Sequence, residues 1–99
     1  ESREQLVTTP ITLFEVQYAL MRDRDEEAAR TAAQKICGDL RAIMQELDYE
    51  LVLSAAKIKK GERLAMADAF VLAAARRHDA KIITGDPDLK KFPETIFIR

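Results

Sequence analysis

Leu64-Ala65-Met66-Ala67-Asp68-Ala69-Phe70-Val71-Leu72-Ala73-Ala74-Ala75, followed by Lys81-Ile82-Ile83-Thr84 and then by Gly85-Asp86-Pro87-Asp88, decides the fold class of this 99-residue chain. The first run is too long for a strand and apolar on nearly every side, which predicts a buried helix. Its end at Arg76-Arg77-His78 places cations at the negative pole of the helix dipole. The β-branched run Ile82-Ile83-Thr84 predicts a short buried strand, and the residues after it have turn chemistry. A buried helix feeding a buried strand is a unit of an α/β sheet.

Working outward, Leu89-Lys90-Lys91-Phe92 reads as one helical turn and Thr95-Ile96-Phe97-Ile98 as a last strand. Upstream, Gly61 stops a helix from Tyr49 to Lys60, capped by Asp48 and carrying Val52, Ala55, Ala56 and Ile58 on one face. Leu40, Ile43, Met44 and Leu47 continue helical spacing ahead of it. Asp25-Glu26-Glu27 puts acid at the start of an Ala-rich helix that reaches about Gly38. Near the start, Leu6-Val7-Thr8 reads as a strand, with Thr9 as N-cap and Pro10 at the first helical position. From Ile11 to Met21, apolar residues cover most of the helix surface, so burial on more than one side is expected and Glu15 is conspicuous.

Strands separated by helices predict a small parallel sheet in one domain spanning residues 1–99. Such a sheet normally begins with a strand and a crossover helix, yet only residues 1–5 precede the first strand-like stretch. An absent N-terminal unit is therefore expected.

With 47% hydrophobic residues and 33% charged residues of both signs at net −1, the composition suits a globule and argues against disorder. No apolar run approaches the roughly 18 residues of a membrane span, and Glu1-Ser2-Arg3-Glu4 opens no secretory leader, so a cytoplasmic protein is expected. The single Cys37, among Ile36, Gly38 and Leu40, reads as a reduced interior thiol. Residues 1–50 carry 6 basic and 11 acidic groups, residues 51–99 carry 10 and 6. Attraction for phosphate would come from the second half, from Lys57, Lys59, Lys60, Arg63, Arg76, Arg77, Lys90 and Lys91, or from bound cations; a solvated face is the plainer reading.

Three acids stand in apolar settings: Glu15 after Leu13-Phe14, Asp68 between Ala67 and Ala69, and Asp86 just after the strand. Buried carboxylates are costly unless paired or metal-bound. In open α/β sheets ligands collect beyond the carboxyl ends of strands, where Asp86 lies. Acids converging there would suit Mg²⁺ or Mn²⁺, which activate water and steady a phosphodiester. Each acid also has a plain explanation: an ion pair for Glu15, a helix cap for Asp68, a turn for Asp86 and Asp88.

Thr9-Pro10-Ile11-Thr12-Leu13-Phe14-Glu15-Val16, Leu64 to Phe70, and Ile82-Ile83-Thr84-Gly85-Asp86-Pro87-Asp88 resemble, in family order, the three later signature segments of PIN domains. Ala55-Ala56-Lys57-Ile58-Lys59 is similar to the VapC-type toxins of that family. The resemblance implies a three-layer α/β/α fold, here lacking its first strand, and a Mg²⁺- or Mn²⁺-dependent endoribonuclease of the toxin–antitoxin kind. It assigns Glu15, Asp68 and Asp86 to the acidic metal site, Asp88 to a supporting acid and Thr84 to the hydroxyl lining the site. Lys57, Lys59, Lys60 and Arg63 would hold RNA, and a homodimer with an antitoxin partner is expected. The family's first acid, in an Asp-Thr/Ser-apolar stretch on an N-terminal strand, has no match here.

Overall fold

The computed structural model describes residues 5–84 and 86–97. The expected strand feeds the expected helix: β1 is Val7–Thr8 and α1 is Pro10–Asp23. Thr9, fully buried, caps α1 by accepting from the Thr12 N–H at 3.1 Å. α2 (Glu26–Gln34) is capped by Asp25, whose carboxylate accepts from the Ala28 N–H at 2.8 Å, and it runs into a π-helical turn at Lys35–Asp39. After β2 (Ile43–Met44), Asp48 caps α3 (Tyr49–Gly61) through the Leu51 N–H at 2.8 Å. Then come α4 (Met66–His78), β3 (Ile82–Thr84), a 3₁₀ turn at Pro87–Leu89 and β4 (Thr95–Phe97).

The strands are parallel, as predicted. β1 pairs with β2, Val7 opposite Ile43, and β3 pairs with β4, Ile82 opposite Thr95. A single bridge, Leu6 to Lys81, joins the two pairs, held by the Val7 N–H on the Lys81 carbonyl (3.1 Å) and the Lys81 N–H on the Gln5 carbonyl (2.7 Å). α4 lies at the centre, packed against α1, α3 and β1. Its Ala69, Val71, Leu72, Ala73, Ala74 and Ala75 are buried, and the short alanines let neighbouring elements come close. Val7, Leu51, Leu64, Ile82, Leu89 and Phe92 pack into the same core.

Four expectations fail or shift. α1 has no buried residue: Phe14, Tyr18 and Met21 are 62%, 55% and 48% exposed, because the helix packs chiefly against α2 and α4 and leaves these side chains uncovered by the described residues. The expected helical run through Leu40 and Leu47 is instead β2 with loops on either side, all the more so because Arg41 takes a left-handed φ of 53°. There the Ile43 and Gln45 N–H groups bond the Leu6 and Thr8 carbonyls, long-range pairing that helical spacing does not reveal. Cys37, expected as an interior thiol, is exposed in the π turn that replaces the last part of the Ala-rich helix expected to reach about Gly38. The expected turn at Leu89–Phe92 starts two residues earlier, at Pro87. Gly85 of the predicted turn and Ile98 of the predicted strand lie outside the described residues.

Candidate functional site

Asp68 enters the site from the first turn of α4. The N-cap, Ala65, makes no side-chain cap hydrogen bond, and the helix N–H groups there favour an anion. The Asp68 carboxyl is nonetheless pushed up to about 6 from its ordinary 3.8. Burial is the largest cause, followed by hydrogen bonding with Asp86 and then by the negative charges of Asp86, Asp88 and Glu15. Carboxylates from α1 and from the turn after β3 therefore act on this one group of α4.

Asp86 is held by its neighbours. Its N–H donates to Thr84 Oγ1 at 3.0 Å, and its Oδ1 accepts from the Asp88 N–H at 2.9 Å, opening the 3₁₀ turn. Thr84 at the end of β3 thus fixes where the Asp86 carboxylate stands. Glu15 is exposed midway along α1. Ion pairs among the described residues engage Asp23, Glu26, Asp48, Glu62 and Glu94. Asp68 is not the N-cap of its helix. Among the described residues, no three His, Cys, Asp or Glu side chains are grouped closely enough to hold a metal ion by themselves.

The basic residues divide. Lys57, Lys59, Lys60 and Arg63 are all exposed, but the Lys59 ammonium donates to the Leu64 carbonyl at 2.8 Å and so ties down the connection from α3 to α4. Lys57 lines a cleft of about 400 Å³ with Ser54, Arg76 and Arg77. Arg77 is clamped by Asp48 at 2.8 and 3.1 Å, Arg76 by Glu94 at 3.0 Å, and Lys91 meets Glu62 at 3.1 Å. Much of the cationic excess visible in the sequence is therefore spent on internal pairs. His78, which the sequence reading leaves as a helix-end cation, has Nε2 at 2.6 Å from Gln45 Oε1, so it also ties the end of α4 to the β2 region. Sequence reasoning missed the open aromatic face beside Glu15, where Phe14 and Tyr18 stack with ring centroids 5.9 Å apart. Their i, i+4 spacing was the available signal.

Small parallel strand pairs and packed helices thus bring Asp68, on α4, within hydrogen-bonding reach of Asp86 after β3, with the charges of Asp88 and Glu15 near enough to act on it. Residues 1–95 match the model of the PIN domain family, and the chain belongs to that family. Among solved structures it is similar to the toxin–antitoxin complex from Klebsiella pneumoniae, with a TM-score of 0.69 at 20% identity, covering 96% of this chain and 75% of that one. It is also similar to VapC20 of Mycobacterium tuberculosis, described as a sarcin-ricin loop cleaving toxin (TM-score 0.69, 19% identity, 94% and 75% covered). VapBC-1 of nontypeable Haemophilus influenzae follows at TM-score 0.63 and 17% identity, with 98% and 77% covered. At these identities the likeness establishes the fold. No curated protein matches the chain. No described helix is long and apolar enough to cross a membrane.

Proposed function

We propose that this PIN domain is a Mg²⁺- or Mn²⁺-dependent endoribonuclease, acting in the cytoplasm as the toxin of a VapBC-type pair, with an antitoxin and a second copy of itself as partners. The observation that carries this reading is Asp68: its carboxyl is raised by burial and by Asp86, Asp88 and Glu15, a crowding of like charge that a divalent cation would relieve.

The donor set fits such a cation, being all hard oxygen. Magnesium takes one or two carboxylates directly and keeps several waters. Asp68 and Asp86 would be the direct pair, with Glu15 and Asp88 reaching through water, which accommodates the lack of a ready three-ligand nest among the described residues. When bound, the ion supplies water activation and neutralises charge on the phosphodiester. The chain's own residues do the positioning. Thr84 fixes the Asp86 backbone, α4 presents Asp68 at its positive end, and Asp68 carries a proton below about pH 6 when no cation is present. Lys57, Lys60 and Arg63 are the exposed cations assigned to the RNA backbone, Lys59 being engaged with Leu64.

A second reading, a PIN fold that binds RNA or protein without cutting, is favoured by the lack of three grouped metal-ligating side chains among the described residues. Incubation of a single-stranded oligoribonucleotide with the chain and Mn²⁺ separates the two. The nuclease reading expects cleavage that Asp68→Asn lowers by more than roughly 100-fold, beyond the 10–100-fold typical of residues supporting a metal ligand. RNA binding without Asp68-dependent cleavage would favour the silent module.

A further inference from the structure

We infer that the aromatic face of α1 is a stacking platform for an unpaired nucleobase of the substrate, an inference that rests on the proposed action on RNA. Phe14, Tyr18 and Arg22 recur every four residues and so form one column along the helix. The two rings lie within 15° of parallel, and the Arg22 guanidinium, held edge-on by the Asp23 carboxylate at 2.9 and 3.2 Å, sits over the Tyr18 ring at 5.7 Å from its centroid. Planar groups already laid face to face, at 62% and 55% exposure, leave π surface facing solvent.

Any base presents a π face, so such a surface holds single-stranded RNA without reading its sequence, and a guanidinium adds cation–π attraction. The column also has the right place. Phe14 adjoins Glu15 in the chain and Tyr18 lies one turn beyond it, while Glu15 is one of the acids whose charge reaches Asp68. A nucleotide stacked on α1 would therefore lie beside the phosphate that the acids are proposed to act on. An apolar protein surface would account for exposure alone. It would not call for two near-parallel rings, one of them under a guanidinium, next to Glu15.

The test uses the Asp68→Asn chain, which leaves substrate intact, and a single-stranded oligoribonucleotide carrying 2-aminopurine, whose fluorescence is quenched on stacking. Binding with quenching is expected. Phe14→Leu with Tyr18→Leu, which keeps the surface apolar but removes the rings, should weaken binding roughly tenfold or more and abolish the quench. Tyr18→Phe alone should retain both. Since these side chains are exposed, the variants should melt with the parent; single Tyr18→Leu, read by the quench, serves as the check. An unchanged affinity and quench in the double variant would overturn the platform, as would no RNA binding by the Asp68→Asn chain. So would unchanged RNA affinity together with a loss of dimer mass in sedimentation, which would assign the face to a second copy. Failure of the nuclease reading is seen separately, as absence of Asp68-dependent cleavage while the quench persists.

Discussion

α1 and α4 look alike as sequences and behave oppositely as structures. Both are apolar around most of their circumference and both carry one acid of the site. α4 has six buried residues and α1 has none. The difference lies in side-chain size and position. The alanines of α4 let α1, α3 and β1 close on it, whereas α1 packs chiefly toward α2 and α4 and its aromatic rings stay exposed. An apolar helix therefore predicts burial only when something is available to cover it, and the side left open becomes a candidate for contact with something else.

The contrast breaks most visibly in stability. Leu72 is fully buried, so Leu72→Ala should cost about 2–5 kcal/mol, a large share of the roughly 5–15 kcal/mol that holds a domain together. Tyr18→Ala should change stability by no more than about 0.5 kcal/mol, as for a surface residue. Urea unfolding of both variants measures this, and comparable losses would mean that the outer face of α1 is packed after all.

A smaller effect sharpens the comparison at the acids themselves. Asp68 on α4 has a folded-state pKa of about 6 against an ordinary 3.8, so the folded chain binds more protons than the unfolded one between those values. The stabilisation from that bound proton is complete below the unfolded value and is lost as pH rises through about 6. The metal-free protein should therefore lose melting temperature between about pH 5 and pH 7, and Asp68→Asn should remove that part of the decline. Parallel pH profiles for the two proteins would contradict the burial and crowding around Asp68.

What was legible in the sequence was local. Thr9 and Asp48 announce their helices because a cap acts within three residues, and both make the expected hydrogen bonds, while Asp25, read only as acid at a helix start, caps α2 as well. Glu15, Asp68 and Asp86 stand out as acids among apolar neighbours, and Thr84 and Asp88 follow from the turn and the family resemblance. What was hidden depends on distant parts of the chain. Ile43–Met44 becomes a strand only because β1 is there to pair with it. Lys59 is taken by the Leu64 carbonyl, and Arg77 by an Asp48 that lies 29 residues away in sequence. Composition counts those cations as available, while the fold has already used them.

The smallest effect is expected on the α1–α2 side, at Cys37. Its apolar neighbours predict an interior thiol, but the chain leaves α2 through the π turn at Lys35–Asp39, and Gly38, Asp39 and Leu40 are exposed along with Cys37 itself. An interior thiol reacts only when the protein opens, so its modification would be slowed in proportion to stability. An exposed one reacts from the native state. Cys37 should be titrated by a disulfide reagent in the folded protein at nearly the rate found in urea, and Cys37→Ser should shift unfolding by less than about 0.5 kcal/mol. A thiol protected until the domain unfolds, together with a larger loss in Cys37→Ser, would show that the end of α2 is packed as the sequence suggests, and the open side of the molecule would then be confined to the outer face of α1.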